Sequence, residues 1–192
     1  YVVGAFYYDE TYDIAEDFDL GAQFCIPVVA GLAGLGAGQA CAAGQQVDAS
    51  EGDFSQDLQS FAVFGQGTWR PNEQWAFTAG LRYSDEEKDG TFSNVVNNPF
   101  VIVLAVRDNE TLPATTLDDS QVTYFANASW FPVDDVMLFA TYSTGYKGGG
   151  FNTQGTFPAL APTQRVFGAE TSDNVEVGIK SQFFDNTLQA NV

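Results

Sequence analysis

Tyr142-Ser143-Thr144-Gly145-Tyr146-Lys147-Gly148-Gly149-Gly150-Phe151-Asn152 closes an alternating run with three glycines and an aromatic residue. From Val136 the even positions read Val136, Leu138, Ala140, Tyr142, Thr144 and Tyr146, and the odd positions Met137, Phe139, Thr141, Ser143, Gly145 and Lys147. Side chains of a strand point alternately to its two faces, so one face is apolar with tyrosines at its far end and the other turns polar. Aromatic residues collect where the apolar band of a membrane barrel meets headgroups, and three glycines then release the chain into a loop. The stretch therefore reads as a strand leaving a barrel rim, its tyrosines on the outer girdle, Lys147 in the lumen and the glycines at the bend.

Working outward, seven β-like runs can be placed, near 1–12, 57–69, 74–87, 120–131, 135–147, 172–184 and 187–192. The clearest sets Trp75, Phe77, Ala79, Leu81 and Tyr83 against Ala76, Thr78, Gly80 and Arg82, and another sets Val175, Val177, Ile179 and Phe183 against Glu176, Gly178, Lys180 and Gln182. Most runs exceed the usual globular strand of about five or six residues and match the nine to eleven or so that a tilted strand needs to cross a bilayer. Connections alternate in length. The short ones, Arg70-Pro71-Asn72-Glu73, Pro132-Val133-Asp134-Asp135 and Asp185-Asn186, carry turn residues, while 13–56, 88–119 and 148–171 are long. Up-and-down antiparallel strands put all short turns at one end and all long loops at the other, as outer-membrane barrels do with short periplasmic turns and long extracellular loops. The expected fold is all-β: an antiparallel up-and-down transmembrane β-barrel segment of about seven strands, with 1–192 forming part of a longer barrel.

Composition agrees. Mean hydropathy is −0.10 with 45% hydrophobic residues, values that suit strands with one polar face. The stretch Ile26–Ala43 is interrupted by Pro27, Gly31, Gly34, Gly36, Gly38 and Gln39 and reads as a loop. The net charge of −18 argues against a nucleic-acid surface. Acids gather at Asp9, Glu10, Asp13, Glu16, Asp17 and Asp19, at Asp85, Glu86, Glu87 and Asp89, and at Asp118 and Asp119, all expected in loops as a solvated surface. Cys25 and Cys41 lie in one loop; a disulfide there would stabilise by roughly 3 kcal/mol on the chain-entropy model. The other reading is two free thiols among alanines and glycines.

Tyr142–Asn152 closely resembles the barrel signature of TonB-dependent outer-membrane receptors. Phe61–Trp69, Phe77–Tyr83 and Asp173–Lys180 followed by Phe183–Asn186 are similar to further segments of that family, in the same order, whereas 13–56 and 88–119 resemble nothing in it. The resemblance implies a receptor in the outer membrane of a Gram-negative bacterium, touching outer-membrane lipid and importing a scarce nutrient such as a ferric siderophore with energy relayed by the TonB complex. It also implies a barrel of roughly 22 strands plugged by an N-terminal domain. The plug and the TonB-contacting box have no counterpart in these residues, so no energy-coupling residue carries over, and the rim residues Tyr142, Gly145, Tyr146, Gly148, Gly149, Gly150, Phe151 and Asn152 read as barrel architecture.

Catalytic chemistry is not expected. Histidine is absent, no Gly-x-Ser-x-Gly elbow occurs, and no Cys or His cluster has zinc spacing. Neither a cofactor nor a metal is expected. The candidate lumen-facing charges are Arg82, Lys147, Glu176 and Lys180, whose ordinary role is to pair with one another or with plug carboxylates. Phe151, Phe157 and Phe167 in the last long loop are equal candidates for meeting a ligand. Two other readings stand beside the receptor: a passive porin-like barrel, and a soluble acidic β-sandwich adhesin in which Trp75, Phe77, Leu81 and Tyr83 face a protein core.

Overall fold

The computed structural model describes residues 1–21, 44, 46–184 and 187–192. Cys25 and Cys41, with the possible disulfide between them, and the short turn at Asp185-Asn186 lie outside the described residues. Seven strands, β1 (Val2–Phe18), β2 (Ser50–Asn72), β3 (Trp75–Val96), β4 (Glu110–Val133), β5 (Val136–Lys147), β8 (Glu170–Phe183) and β9 (Leu188–Asn191), form one antiparallel sheet in chain order. The sheet is open, with β1 and β9 at its edges. Between β5 and β8 the chain makes a two-residue ribbon, β6 (Gly150–Phe151) with β7 (Val166–Phe167), and the short helix α2 (Pro162–Arg165); α1 (Phe100–Val103) lies between β3 and β4.

All seven expected runs are strands, and four of them are longer than the alternation of apolar residues suggests. The acids of 9–17, 85–89 and 118–119 are not in loops. They continue β1, β3 and β4 past the apolar band, with Glu86 opposite Asp119 and Glu87 opposite Asp118. Backbone pairing carries the ladder onward where side chains no longer need an apolar surrounding, so hydrophobic pattern marks the band and not the strand end.

Register fixes which residues share a face, because directly paired residues point the same way. One face carries Trp69, Trp75, Phe77, Ala79, Leu81, Tyr83, Tyr124, Ala126, Ala128, Trp130, Leu138, Ala140 and Tyr142, with Val175, Val177 and Ile179 beyond them. No other layer of the described residues covers it: Leu81 is 59% exposed and Val175 75%. A soluble sandwich would bury these side chains, which stay bare among the described residues. Aromatic residues edge the face at both ends. Near the short turns Trp75 stacks on Phe77 and Trp130 with ring centroids 5.6 and 5.9 Å apart, and towards the long loops Tyr124 meets Tyr142 at 5.8 Å. From Trp75 to Tyr83 is roughly 26 Å along the strand at about 3.3 Å per residue, the low end of the nine to eleven or so residues with which a tilted strand crosses a bilayer.

Three bulges interrupt the ladders, each next to a proline: between Trp69 and Asn72 around Pro71, between Trp130 and Val133 around Pro132, and opposite Gly90 and Phe92 where β4 carries Pro113. Proline lacks the N–H the ladder needs and settles where a strand can miss a bond. The third bulge flips the parity of β4. Below it odd residues such as Thr123 share the face of Arg82; above it Leu112 and Glu110 pair with Phe92 and Asn94 and join that same face. The buried apolar clusters lie at the long-loop end. Leu20, Ala49, Phe100 and Val101 form one beside α1, and Phe54, Phe92, Leu112 and Phe151 form the other under the loop that follows β5.

Candidate functional site

The face opposite the bare apolar one is covered at its long-loop end by residues 148–169 and is called the inner face here. Arg82, Lys147, Glu176 and Lys180 all fall on it, since Arg82 pairs with Thr123, Phe125 with Ser143, Thr141 with Glu176, Met137 with Lys180 and Lys147 with Glu170. They share a wall without forming a cluster. The three ion pairs found among the described residues do not include them. The three cations lie over aromatic rings instead: Arg82 over Phe6 and Phe64, each with its centroid at 5.8 Å, Lys180 over Phe139 at 5.3 Å, and Lys147 over Phe167 at 5.6 Å. Arg82 Nε also donates to Ser84 Oγ at 2.9 Å. Three phenyl rings of this wall stand against cross-strand glycines, Phe64 on Gly4, Phe125 on Gly80 and Phe139 on Gly178. A missing side chain lets the ring lie flat on the strand, and the wall stays smooth.

The rim residues divide between the two faces. Tyr142 is outward and donates its hydroxyl hydrogen to Asp173 Oδ1 at 2.5 Å. Tyr146 differs: its hydroxyl is buried with no partner, in the pocket where a Cβ on Gly148 would meet Glu86 Oε2 and Lys88 Nζ. Gly145 faces Ser172, whose Oγ would stand 2.5 Å from an added Cβ. After Lys147 the chain turns onto the inner face. Gly149 donates its N–H to Asp119 Oδ2 at 2.7 Å and its carbonyl accepts from Lys88 Nζ at 2.7 Å, so the acid and the base of neighbouring strands hold this one residue between them. Phe151, 7% exposed, inserts between Phe54, Phe92 and Leu112 and lies on Gly90; it is a packing knob, whereas Phe157 and Phe167 remain 42% and 39% exposed. Asn152 braces the ribbon, its N–H donating to the Arg165 carbonyl and its Nδ2 to that of Gln164.

The strongest polar constellation is Glu110 with Arg165, both side chains fully enclosed. Arg165 Nη2 bonds Glu110 Oε2, Nη1 donates to the carbonyls of Asn152 at 2.7 Å and Gln154 at 3.2 Å, and the guanidinium lies 3.6 Å from the Phe92 ring centroid. Glu110 Oε1 accepts from Thr156 N at 2.6 Å and Thr156 Oγ1 at 2.9 Å, and Oε2 from Leu160 N at 3.2 Å. Glu110 sits on the long-loop extension of β4, outside the apolar band. Burial by itself opposes its ionisation; hydrogen bonds from Thr156, Arg165 and Leu160 outweigh that and hold its carboxyl below the ordinary range. Alongside, Arg107 Nη2 bonds Glu16 Oε1 at 2.5 Å, and Asp108 N donates to the Thr156 carbonyl at 3.0 Å.

Sequence reasoning missed Glu110 and Arg165, which are 55 residues apart and belong to no spaced motif. One available signal was that Arg165 is the sole cation between Gly148 and Glu170. No group of three or more His, Cys, Asp or Glu side chains among the described residues could hold a metal ion. A depression of about 680 Å³ lies away from this site, floored by Gly67, Ala79, Ala126, Ala128 and Ala140 of the bare outer face.

A family model described as "TonB dependent receptor-like, beta-barrel" matches residues 3–192. Pesticin receptors of Yersinia enterocolitica and Yersinia pestis are 25% identical over 133 residues, covering 69% of this chain and 18% of theirs. Among solved structures, the ferric yersiniabactin uptake receptor FyuA from Yersinia pestis superposes with a TM-score of 0.55 at 18% identity, over 70% of this chain and 19% of that one. The chain spans under a fifth of the length of these receptors, and at such identity the structural likeness concerns the fold.

Proposed function

Because the chain belongs to the TonB-dependent receptor-like β-barrel family, we propose that it is part of an outer-membrane receptor that imports a scarce nutrient, with a ferric siderophore or similar iron complex as cargo and TonB as the source of energy. The observation that carries the reading is the family match over nearly the whole chain, joined to a sheet whose bare face is aromatic at both ends and apolar between. On this reading the bare face meets lipid, the short turns are periplasmic and the long loops extracellular. The inner wall meets the receptor's own plug domain, and the protein is a transporter, not an enzyme. The pesticin and ferric yersiniabactin receptors among its relatives support an iron chelate as the cargo class.

Uptake of radiolabelled iron supplied on a panel of siderophores tests it, comparing host cells with and without the full-length receptor and with and without TonB. Accumulation of one chelate should require both. Uptake that needs the receptor and ignores TonB would instead mark a passive porin-like barrel.

A further inference from the structure

We infer that residues 152–165 form a strap latched onto the inner wall by the Glu110–Arg165 pair, and that this latch decides whether the strap lies against the wall or comes away as a unit from a base held by Gly149 and Phe151. Its fasteners are concentrated. Glu110, on the wall, takes Thr156, Leu160 and Arg165, and Arg165, itself on the strap, gathers the carbonyls of Asn152 and Gln154, so one wall carboxylate holds the strap at three positions while its partner closes the strap on itself. A zipper of many weak contacts would loosen piecemeal; a shared latch makes release all-or-none.

The chemistry of the latch fits a device better than ordinary packing. Next to it Phe54, Phe92, Leu112 and Phe151 show that this wall can bury apolar groups well. A buried ion pair adds little stability over an apolar replacement, yet its disruption strands a charge, so the best-attested use of such a pair is to enforce one arrangement against others. Thr156 carries the consequence further, because its carbonyl accepts from Asp108 N, and the neighbouring Arg107 bonds Glu16 on β1. The latch thereby ties the strap to the 97–109 loop. Phe157 rides on the strap's exposed part, so the strap's position decides where that ring stands. The inference needs the receptor reading only to call the inner wall a lumen.

Trypsin reads the latch directly, because the bond after Arg165 is cleavable only when that side chain is free. The full-length receptor is purified in detergent micelles and digested, cleavage sites are followed by mass spectrometry, and barrel integrity is checked by heat-modifiable gel mobility. The wild type should resist cleavage after Arg165. Glu110→Ala should be cut there at least tenfold faster and Glu110→Gln, which keeps an acceptor for Thr156, at an intermediate rate, while Lys88 and Lys180 in the strands stay uncut. Should Glu110→Ala fail to fold, Glu110→Gln and Thr156→Ala carry the comparison. The inference is overturned if the wild type is cut after Arg165 as fast as the variants, if the variants resist as the wild type does, or if cleavage after Lys88 rises with that after Arg165. None of these readings depends on transport.

Discussion

Replacing Gly90 with alanine puts a methyl group where Phe151 lies. The added Cβ would stand 2.6, 2.7 and 2.9 Å from three carbons of that ring, well inside the optimal carbon separation of about 3.5–4.0 Å. The ring cannot slide far, because Phe54, Phe92 and Leu112 enclose it. Overpacking of a well-filled site costs about 1–3 kcal/mol, and alanine in a strand recovers about 0.5–1 kcal/mol of backbone entropy relative to glycine. The balance is a destabilisation of up to about 2.5 kcal/mol, centred on about 1 kcal/mol. The control is Gly67→Ala on the outer face, where a Cβ meets nothing within 4 Å and only the favourable term remains. Urea unfolding of the full-length receptor in micelles supplies the free energies, and a double-mutant cycle with Phe151→Ala isolates the contact: once the ring is gone, Gly90→Ala should be neutral or stabilising, a coupling of about 1–3 kcal/mol. If Gly90→Ala is no worse than Gly67→Ala, or its effect survives undiminished in the Phe151→Ala background, the packing assignment fails.

Three further outcomes are expected. Ala79→Arg, at the middle of the bare face, should lower the yield of folding into lipid vesicles and destabilise by about 2–4 kcal/mol, while Thr78→Arg on the inner face should insert nearly as the wild type does. Removing only Glu110 as alanine should cost about 3–5 kcal/mol by stranding Arg165, and replacing both partners together, Glu110→Leu with Arg165→Met, should recover most of it in the same unfolding assay. The folded-state value of Glu110 lies below its ordinary 4.5, so its contribution is fully present above the ordinary value and is lost as pH falls through the depressed one. Hydrogen exchange of the Thr156 and Leu160 amides should therefore stay slow from about pH 8 to about pH 5 once corrected for intrinsic rates, and protection should fall only at more acidic pH; loss near neutrality would contradict the hydrogen-bond assignment.

By itself the sequence determined the strand count, the up-and-down order, the end at which the loops are long, and the face on which Arg82, Lys147, Glu176 and Lys180 stand. Those properties follow from period-two alternation and turn chemistry, which are local and repeat with every hairpin. Strand length was not legible. Of the acids of 85–89 only Asp85, opposite Phe61, has an apolar partner; Glu86, Glu87 and Asp89 stand opposite polar residues on both neighbouring strands, and the ladder that holds them is made of backbone. Only the tertiary structure decided that the rim continues inward. The bulge at Pro113 is a one-residue slip whose consequence, Glu110 and Leu112 turned onto the inner face, appears only when β3 lies beside β4. The meeting of Glu110 with Arg165 then depends on a loop folding back across that strand, and no spacing along the chain encodes it. The glycines after Lys147 show the division most plainly: their composition announces a bend, and the direction of the bend is set by Asp119, Lys88 and Gly90 on strands far away in sequence.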